Sequence, residues 1–243
     1  MINFAGSHIL LDIEGTTSSV SFVFEVMFPY ARKHLAGYLS EHWDDEDVQD
    51  AARQIAVDDD GSSLENWLPS QNAHTNREHI VRHLEALMDA DSKATGLKQL
   101  QGILWRGGFL SGELKSHLYD DVLPALLHWR SRDIGLLIYS SGSVHAQQLF
   151  FENTISGDLL PLFLGHYDTT IGNKREMQSY QRIVEDCAIE AEQVLFLSDI
   201  VLELDAAAGS GLQTGLVIRP ENAAQPNAHG HPVISSFTEI SLD

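Results

Sequence analysis

The chain has 243 residues, 43% of them apolar, enough for one large core carrying an insertion and too many for a disordered chain. Lys and Arg number 15 against 35 Asp and Glu; the net charge of −20 argues against nucleic acid and membrane surfaces as partners and leaves any anionic substrate dependent on a local cation. No apolar run approaches the ~20 residues of a membrane span, the start "MINFAGSHILLD" lacks a secretory pattern, and a single cysteine, Cys187, excludes an internal disulfide and suits the cytoplasm.

Residues 7–13 read as a short buried strand that runs into Asp12, Glu14 and a glycine turn. From Ser21 to Ser40 apolar residues fall at helical spacing, at Phe24, Met27, Phe28, Ala31, Leu35, Tyr38 and Leu39. Residues 44–117 continue as polar, helix-rich sequence without a strand pattern, with loops expected at 57–63 and 68–73 and an amphipathic helix over 74–91. The pattern then changes. A helix over 121–132 carries Pro124 in its first turn, where its missing N–H costs little. Residues 134–143 form a buried strand ending in small polar residues, followed by a helix from Val144 and a strand over 161–168. A helix over 174–188 places Met177, Tyr180, Ile183 and Val184 on one face, and buried strands follow over 194–199 and 214–220.

Strands alternating with helices predict an α/β fold, a Rossmann-like parallel sheet. The first strand stands far from the others in sequence. Residues 1–18 and 119–243 are therefore expected to form the α/β core, and residues 19–118 an inserted all-helical cap domain.

In open parallel sheets the ligand site lies outside the carboxyl ends of the strands. Three strands here end in reactive groups: Asp12 and Glu14; Ser140 and Ser141; and Asp199, with Lys174 at a helix start between the last two. Each has an ordinary alternative. An acid at a strand end is commonly a turn former or helix cap, Ser-Ser-Gly is a common loop, and a lysine after Gly-Asn is commonly solvated. Together they suit a different chemistry. Carboxylates from two strands can share one hard divalent cation, an aspartate can attack a phosphoryl group, and a second acid two residues on can protonate the leaving oxygen.

Asp12-Ile-Glu14-Gly-Thr16, Ser141 after a buried strand, Lys174, and Ser198-Asp199, in this order, resemble the haloacid dehalogenase superfamily. The segments "DIEGTT", "IYSSGSV", "YDTTIGNKREMQSY", "FLSD" and "LQGILWRGGFLSGEL" resemble, more narrowly, the enolase-phosphatase family of methionine salvage, over nearly the whole chain. That resemblance implies enolisation of 2,3-diketo-5-methylthiopentyl 1-phosphate and its dephosphorylation to the acireductone 1,2-dihydroxy-3-keto-5-methylthiopentene. It also implies one Mg²⁺ per chain on Asp12, Glu14 (through its backbone carbonyl) and Asp199. Asp12 would be the nucleophile and Glu14 the proton donor, with Ser140, Ser141 and Lys174 on the phosphate. The expected partner is the small phosphate substrate alone, bound by a monomer. The last acidic pair, Asp199 and Glu203, is four apart, wider than the superfamily pattern, and Glu203 has no assigned role.

Other features are weaker. His79 and His83 lie four apart on a helix without a third zinc ligand, and the acidic runs at 44–50 and 57–61 lack a calcium-loop pattern. The rivals are another Mg²⁺-dependent phosphatase of the same superfamily, a dehalogenase, a methyltransferase and an inactive binding module. Asp199 as a metal ligand counts against the dehalogenase, the missing Gly-x-Gly after the acid against the methyltransferase, and the complete set of stations against the inactive module.

Overall fold

The computed structural model describes residues 1–90, 92–226 and 229–242. It divides into two compact units, residues 1–23 with 115–243, and residues 24–114. The chain opens with β1 (Ile2–Phe4) and β2 (His8–Leu11), and a π-helical turn over Phe22–Met27 leads into the second unit.

The second unit is helical: α1 (Phe28–Glu41), α2 (Glu46–Asp60), α3 (Leu64–Trp67), α4 (Ala73–Asp89) and α5 (Thr95–Ser111). The apolar spacing of α1 buries Ala31, Leu35 and Leu39, while Phe24, before it, is 55% exposed. The loop expected over 57–63 is helical as far as Asp60, and Gly61, in the left-handed region, ends the helix. The acidic run has local work to do: Asp58 accepts the Gly96 N–H at 2.7 Å in the first turn of α5, and Asp59 accepts the Trp67 indole N–H at 2.8 Å. The helix expected over 74–91 runs from Ala73 to Asp89, with Asn72 as its cap; residue 91 lies outside the described residues. The rings of His79 and His83 both pack edge-on against Trp67.

The first unit resumes with α6 (Val122–Ser131), β3 (Gly135–Tyr139), α7 (Val144–Glu152), β4 (Gly165–Tyr167) and α8 (Met177–Asp186). It closes with β5 (Val194–Ser198), α9 (Val201–Gly209), β6 (Gln213–Val217), β7 (Val233–Ile234) and β8 (Ile240–Leu242). Six strands make one parallel sheet in the order β4-β3-β2-β5-β6-β7, and β1 pairs with β8 beside it. The central strands are apolar over most of their length because both faces are covered: Ile9, Leu10, Leu11, Leu136, Ile138, Leu195, Phe196 and Leu197 are fully buried. Tyr180 and Ile183 of α8 and Leu204 and Ala207 of α9 pack in the same cluster as Leu10 and Phe196. Met177, expected on that face of α8, is 42% exposed. The strand expected over 161–168 is shorter, because a helical turn containing Pro161 runs over Leu160–Leu162 and pairing starts at Gly165.

Register determines what meets at the top of the sheet. Leu11 stands opposite Ile138 on one side and Leu197 on the other, so the residues that leave β2, β3 and β5 emerge side by side. After β4 the chain crosses back to the other side of β2, so the strand order reverses there, the position at which such sheets bind ligands.

Candidate active site

Asp12 follows β2 and is 3% exposed. Its N–H donates to the Leu197 carbonyl at 3.0 Å, extending the ladder by one residue. The chain then knots: the N–H groups of Thr16, Thr17 and Ser18 all donate to the Ile13 carbonyl. Such a turn needs a left-handed residue, and Gly15 supplies it at φ 71°.

Five of the six residues singled out from the sequence are linked in this turn's surroundings. Lys174 Nζ lies 2.8 Å from Asp12 Oδ1, and Ser140 Oγ donates to Glu14 Oε2 at 3.1 Å. Asp199 packs so closely that a Cβ on Gly15 would lie 2.5 Å from its Oδ2. Ser141 stands apart from these bonds, exposed, lining a cleft of about 330 Å³ with Thr169, Asn173, Lys174, Arg175 and Glu203. A solvated Lys174, an ordinary alternative in the sequence, does not hold: it is 7% exposed, and the backbone around it is tied down. Tyr180 Oη donates to the Lys174 carbonyl at 2.7 Å, and Ser179 Oγ donates to the Asn173 carbonyl at 2.7 Å.

Ser198 and Glu203, named in the sequence without a role, join the site, and so does Gln147, which the sequence did not single out. Glu203, in the first turn of α9, accepts from Lys174 Nζ at 2.7 Å, so one ammonium bridges Asp12 and Glu203. Ser198 Oγ lies 3.3 Å from Asp12 Oδ2 and 3.0 Å from Glu203 Oε2, with one proton to share between them. Gln147, buried on α7, donates to the carbonyls of Gly142 and Tyr167, each at 2.8 Å, and so holds the Ser140–Gly142 turn in place. Helical spacing marks Gln147 only as an inward-facing polar residue on α7; nothing local announces its partners.

Four carboxylates therefore share one lysine. Burial, then Asp12, push the Glu14 carboxyl above the usual range, with Lys174 and the Ser140 hydroxyl opposing. Burial and Asp12 raise Glu203 as well. Burial, Asp12 and Glu203 together push Asp199 up to about 7. Burial by itself would lower the Lys174 ammonium, but Asp12 and Glu203 outweigh it and hold the proton on.

The donor set suits a hard divalent cation: it is all oxygen and carries more negative charge than Lys174 neutralises. Among the described residues no three His, Cys, Asp or Glu side chains form a ready ligand cluster. A small divalent cation does not need one, because one or two carboxylates, a carbonyl, waters and substrate oxygens complete its shell. Asp12, Asp199 and the Glu14 carbonyl fit that description.

The haloacid dehalogenase-like hydrolase family model matches residues 7–211. The chain is 43% identical over 237 residues to enolase-phosphatase E1 of Yersinia enterocolitica, covering 97% of this chain and 96% of that protein. It is 41% identical over 234 residues to the protein of the same name from Drosophila mojavensis, covering 96% and 94%. Among solved structures, UTR4 protein from Saccharomyces cerevisiae superposes with a TM-score of 0.80 at 36% identity, over 96% of this chain and 99% of that one. A HAD phosphatase from Thermococcus onnurineus, 17% identical with a TM-score of 0.60 over 96% and 95%, shares the fold.

Proposed function

The chain belongs to the haloacid dehalogenase-like hydrolases, and from that premise we propose that it is the enolase-phosphatase of methionine salvage. It enolises 2,3-diketo-5-methylthiopentyl 1-phosphate and removes the phosphate to release the acireductone. The carrying observation is the position of Asp12, a buried carboxylate with Lys174, Ser198 and the Asp199-bearing strand end around it and a hydrogen-bonded acid two residues away.

Asp12 acts as nucleophile: its oxygen bonds to phosphorus as the bond to the substrate oxygen breaks, leaving an aspartyl-phosphate. Glu14, whose carboxyl burial and Asp12 push above the usual range, is the group that gives a proton to the leaving oxygen. The same carboxylate then takes a proton from the water that hydrolyses the aspartyl-phosphate, restoring both acids. Lys174 stays charged throughout, held by two carboxylates, so it orients Asp12 and binds phosphate oxygens and does not act as a base. Ser140 and Ser141 complete the phosphate cradle, with Gln147 fixing the turn that carries Ser140. Mg²⁺ held by Asp12, Asp199 and the Glu14 carbonyl would offset the charge of the phosphate and polarise a substrate oxygen. The helical unit serves as the cap that selects among phosphates. The enzyme works in the cytoplasm as a monomer; its lone cysteine is free, and among the described residues no helix is long and apolar enough to cross a membrane.

A panel of phosphate esters that includes the diketone phosphate, each assayed for phosphate release with Mg²⁺ and with excess chelator, tests this function. The diketone phosphate should be preferred and should yield acireductone, and the chelator should abolish release. Preference for another ester would make the protein a different phosphatase of the family; full activity in chelator would remove the cation.

A further inference from the structure

Asn222 lies beyond β6, outside every motif the sequence singles out, yet its carboxamide reaches the turn that follows Asp12. Nδ2 donates to the Gly15 carbonyl at 2.9 Å and to the Val217 carbonyl at 3.2 Å. Those two acceptors determine which end of the amide is which, because the reversed orientation would set oxygen against two carbonyls. Oδ1 must then face the other way, where it is buried and has no hydrogen-bond partner among the described residues. It is not alone there. Asn222 Oδ1 and Asp199 Oδ2 both lie within 2.9 Å of the point that a Cβ on Gly15 would occupy. Both oxygens therefore line the same side of the Gly15 turn, and the Asn222 oxygen finds no donor there among the described residues, although buried acceptors ordinarily have one. A water held by a cation is a donor of the required kind, and Asp199 is one of the groups assigned to that cation.

We propose that Asn222 is a positioning residue for the divalent cation: its Nδ2 clamps the Gly15 turn, and its Oδ1 accepts a hydrogen bond from a water of the cation's hydration shell, beside Asp199. The inference deepens the proposed function and rests on its divalent-cation assignment. A pure clamp and an acceptor for the hydration shell differ in what they require of the side chain. A clamp requires the two N–H donations, which aspartate cannot make. An acceptor requires the oxygen, which aspartate keeps and to which it adds a charge that attracts the cation.

Mn²⁺ binding to the substrate-free protein, followed by electron paramagnetic resonance, separates the two, with melting of the metal-free protein recorded alongside. The expected outcome is one site in the unmodified protein, at least about tenfold weaker binding in Asn222→Ala, the range typical of outer-shell partners, and binding in Asn222→Asp no weaker than in the unmodified protein. Both variants should melt below the unmodified protein, because both lose the clamp. Binding that is unchanged in Asn222→Ala, or weakened as much in Asn222→Asp as in Asn222→Ala, overturns the acceptor role and leaves the cation assignment standing. No Mn²⁺ site in the unmodified protein overturns both.

Discussion

Gly15→Ala puts the turn after Asp12 under a load that can be worked out in advance. Gly15 sits at φ 71°, where an L side chain costs about 1–2 kcal/mol. The new methyl would also stand 2.5 Å from Asp199 Oδ2, 2.7 Å from its Cγ and 2.9 Å from Asn222 Oδ1. None of these can yield freely, since Asp199 adjoins the end of β5 and the Asn222 amide is tied to Gly15 and Val217. Overpacking of this kind adds about 1–3 kcal/mol. At about 2–4 °C per kcal/mol for a chain of this size, the melting temperature should fall by about 5–15 °C. The displaced Asp199 should raise the Mg²⁺ concentration needed for half-maximal phosphate release by about tenfold or more. Gly61→Ala is the matched control: φ is 78°, nothing lies within 4 Å of its Cβ, and it should carry the backbone cost alone. Calorimetry and Mg²⁺ titration of both variants measure the difference. Equal melting temperatures and equal Mg²⁺ requirements for the two would refute the placement of Asp199 against Gly15 as a functional contact.

Asp12→Asn should release no phosphate at saturating Mg²⁺ yet still exchange carbon-bound hydrogen of the diketone phosphate with heavy water, because enolisation does not need an oxygen nucleophile; NMR reads both, and undiminished release would remove Asp12 as nucleophile. Lys174→Ala should lower the rate of phosphate release by about 10²–10³-fold, from roughly 2–4 kcal/mol of lost phosphoryl stabilisation, and near-normal steady-state kinetics would mean that the buried ion pair is structural. Metal-free protein should melt at a higher temperature at pH 5.5 than at pH 8. Asp199, pushed up to about 7, binds its proton more tightly folded than unfolded, so that stabilisation is present at low pH and is lost as pH rises through about 7. Asp199→Asn should flatten the profile, and a melting temperature that rises with pH would contradict the crowding of the four acids. Phe196→Ala, at a fully buried position in the centre of the sheet, should destabilise by about 3–5 kcal/mol in denaturant titrations, and a loss below about 1 kcal/mol would mean that the site had collapsed without a cavity.

The sequence by itself determined the central sheet and the order of its reactive ends. β2, β3 and β5 are buried on both faces, so they read as unbroken apolar runs, and the polar residues that end those runs are the ones brought together. The helices are legible wherever one face is buried, as along α1 with Ala31, Leu35 and Leu39. What lacked a local period was invisible. β1, β7 and β8 have two or three residues each, too few to alternate, and β1 exists only because Ile2 meets Ile240 from the far end of the chain. The helical stretch through Asp58–Asp60 contradicts its composition, since the Gly96 N–H and the Trp67 indole that use those acids lie in other helices. The same holds inside the site. Lys174 is named as a phosphate ligand from its motif, but its pairing with Asp12 and Glu203 is not legible along the chain, and Glu203 enters only because α9 directs its first turn back toward Ser198. Asn222 reaches Gly15 across more than two hundred residues. Spacing along a chain encodes which face of an element is buried and where the element ends; which side chain stands opposite which depends on strand order and register, and these exist only once the sheet has formed.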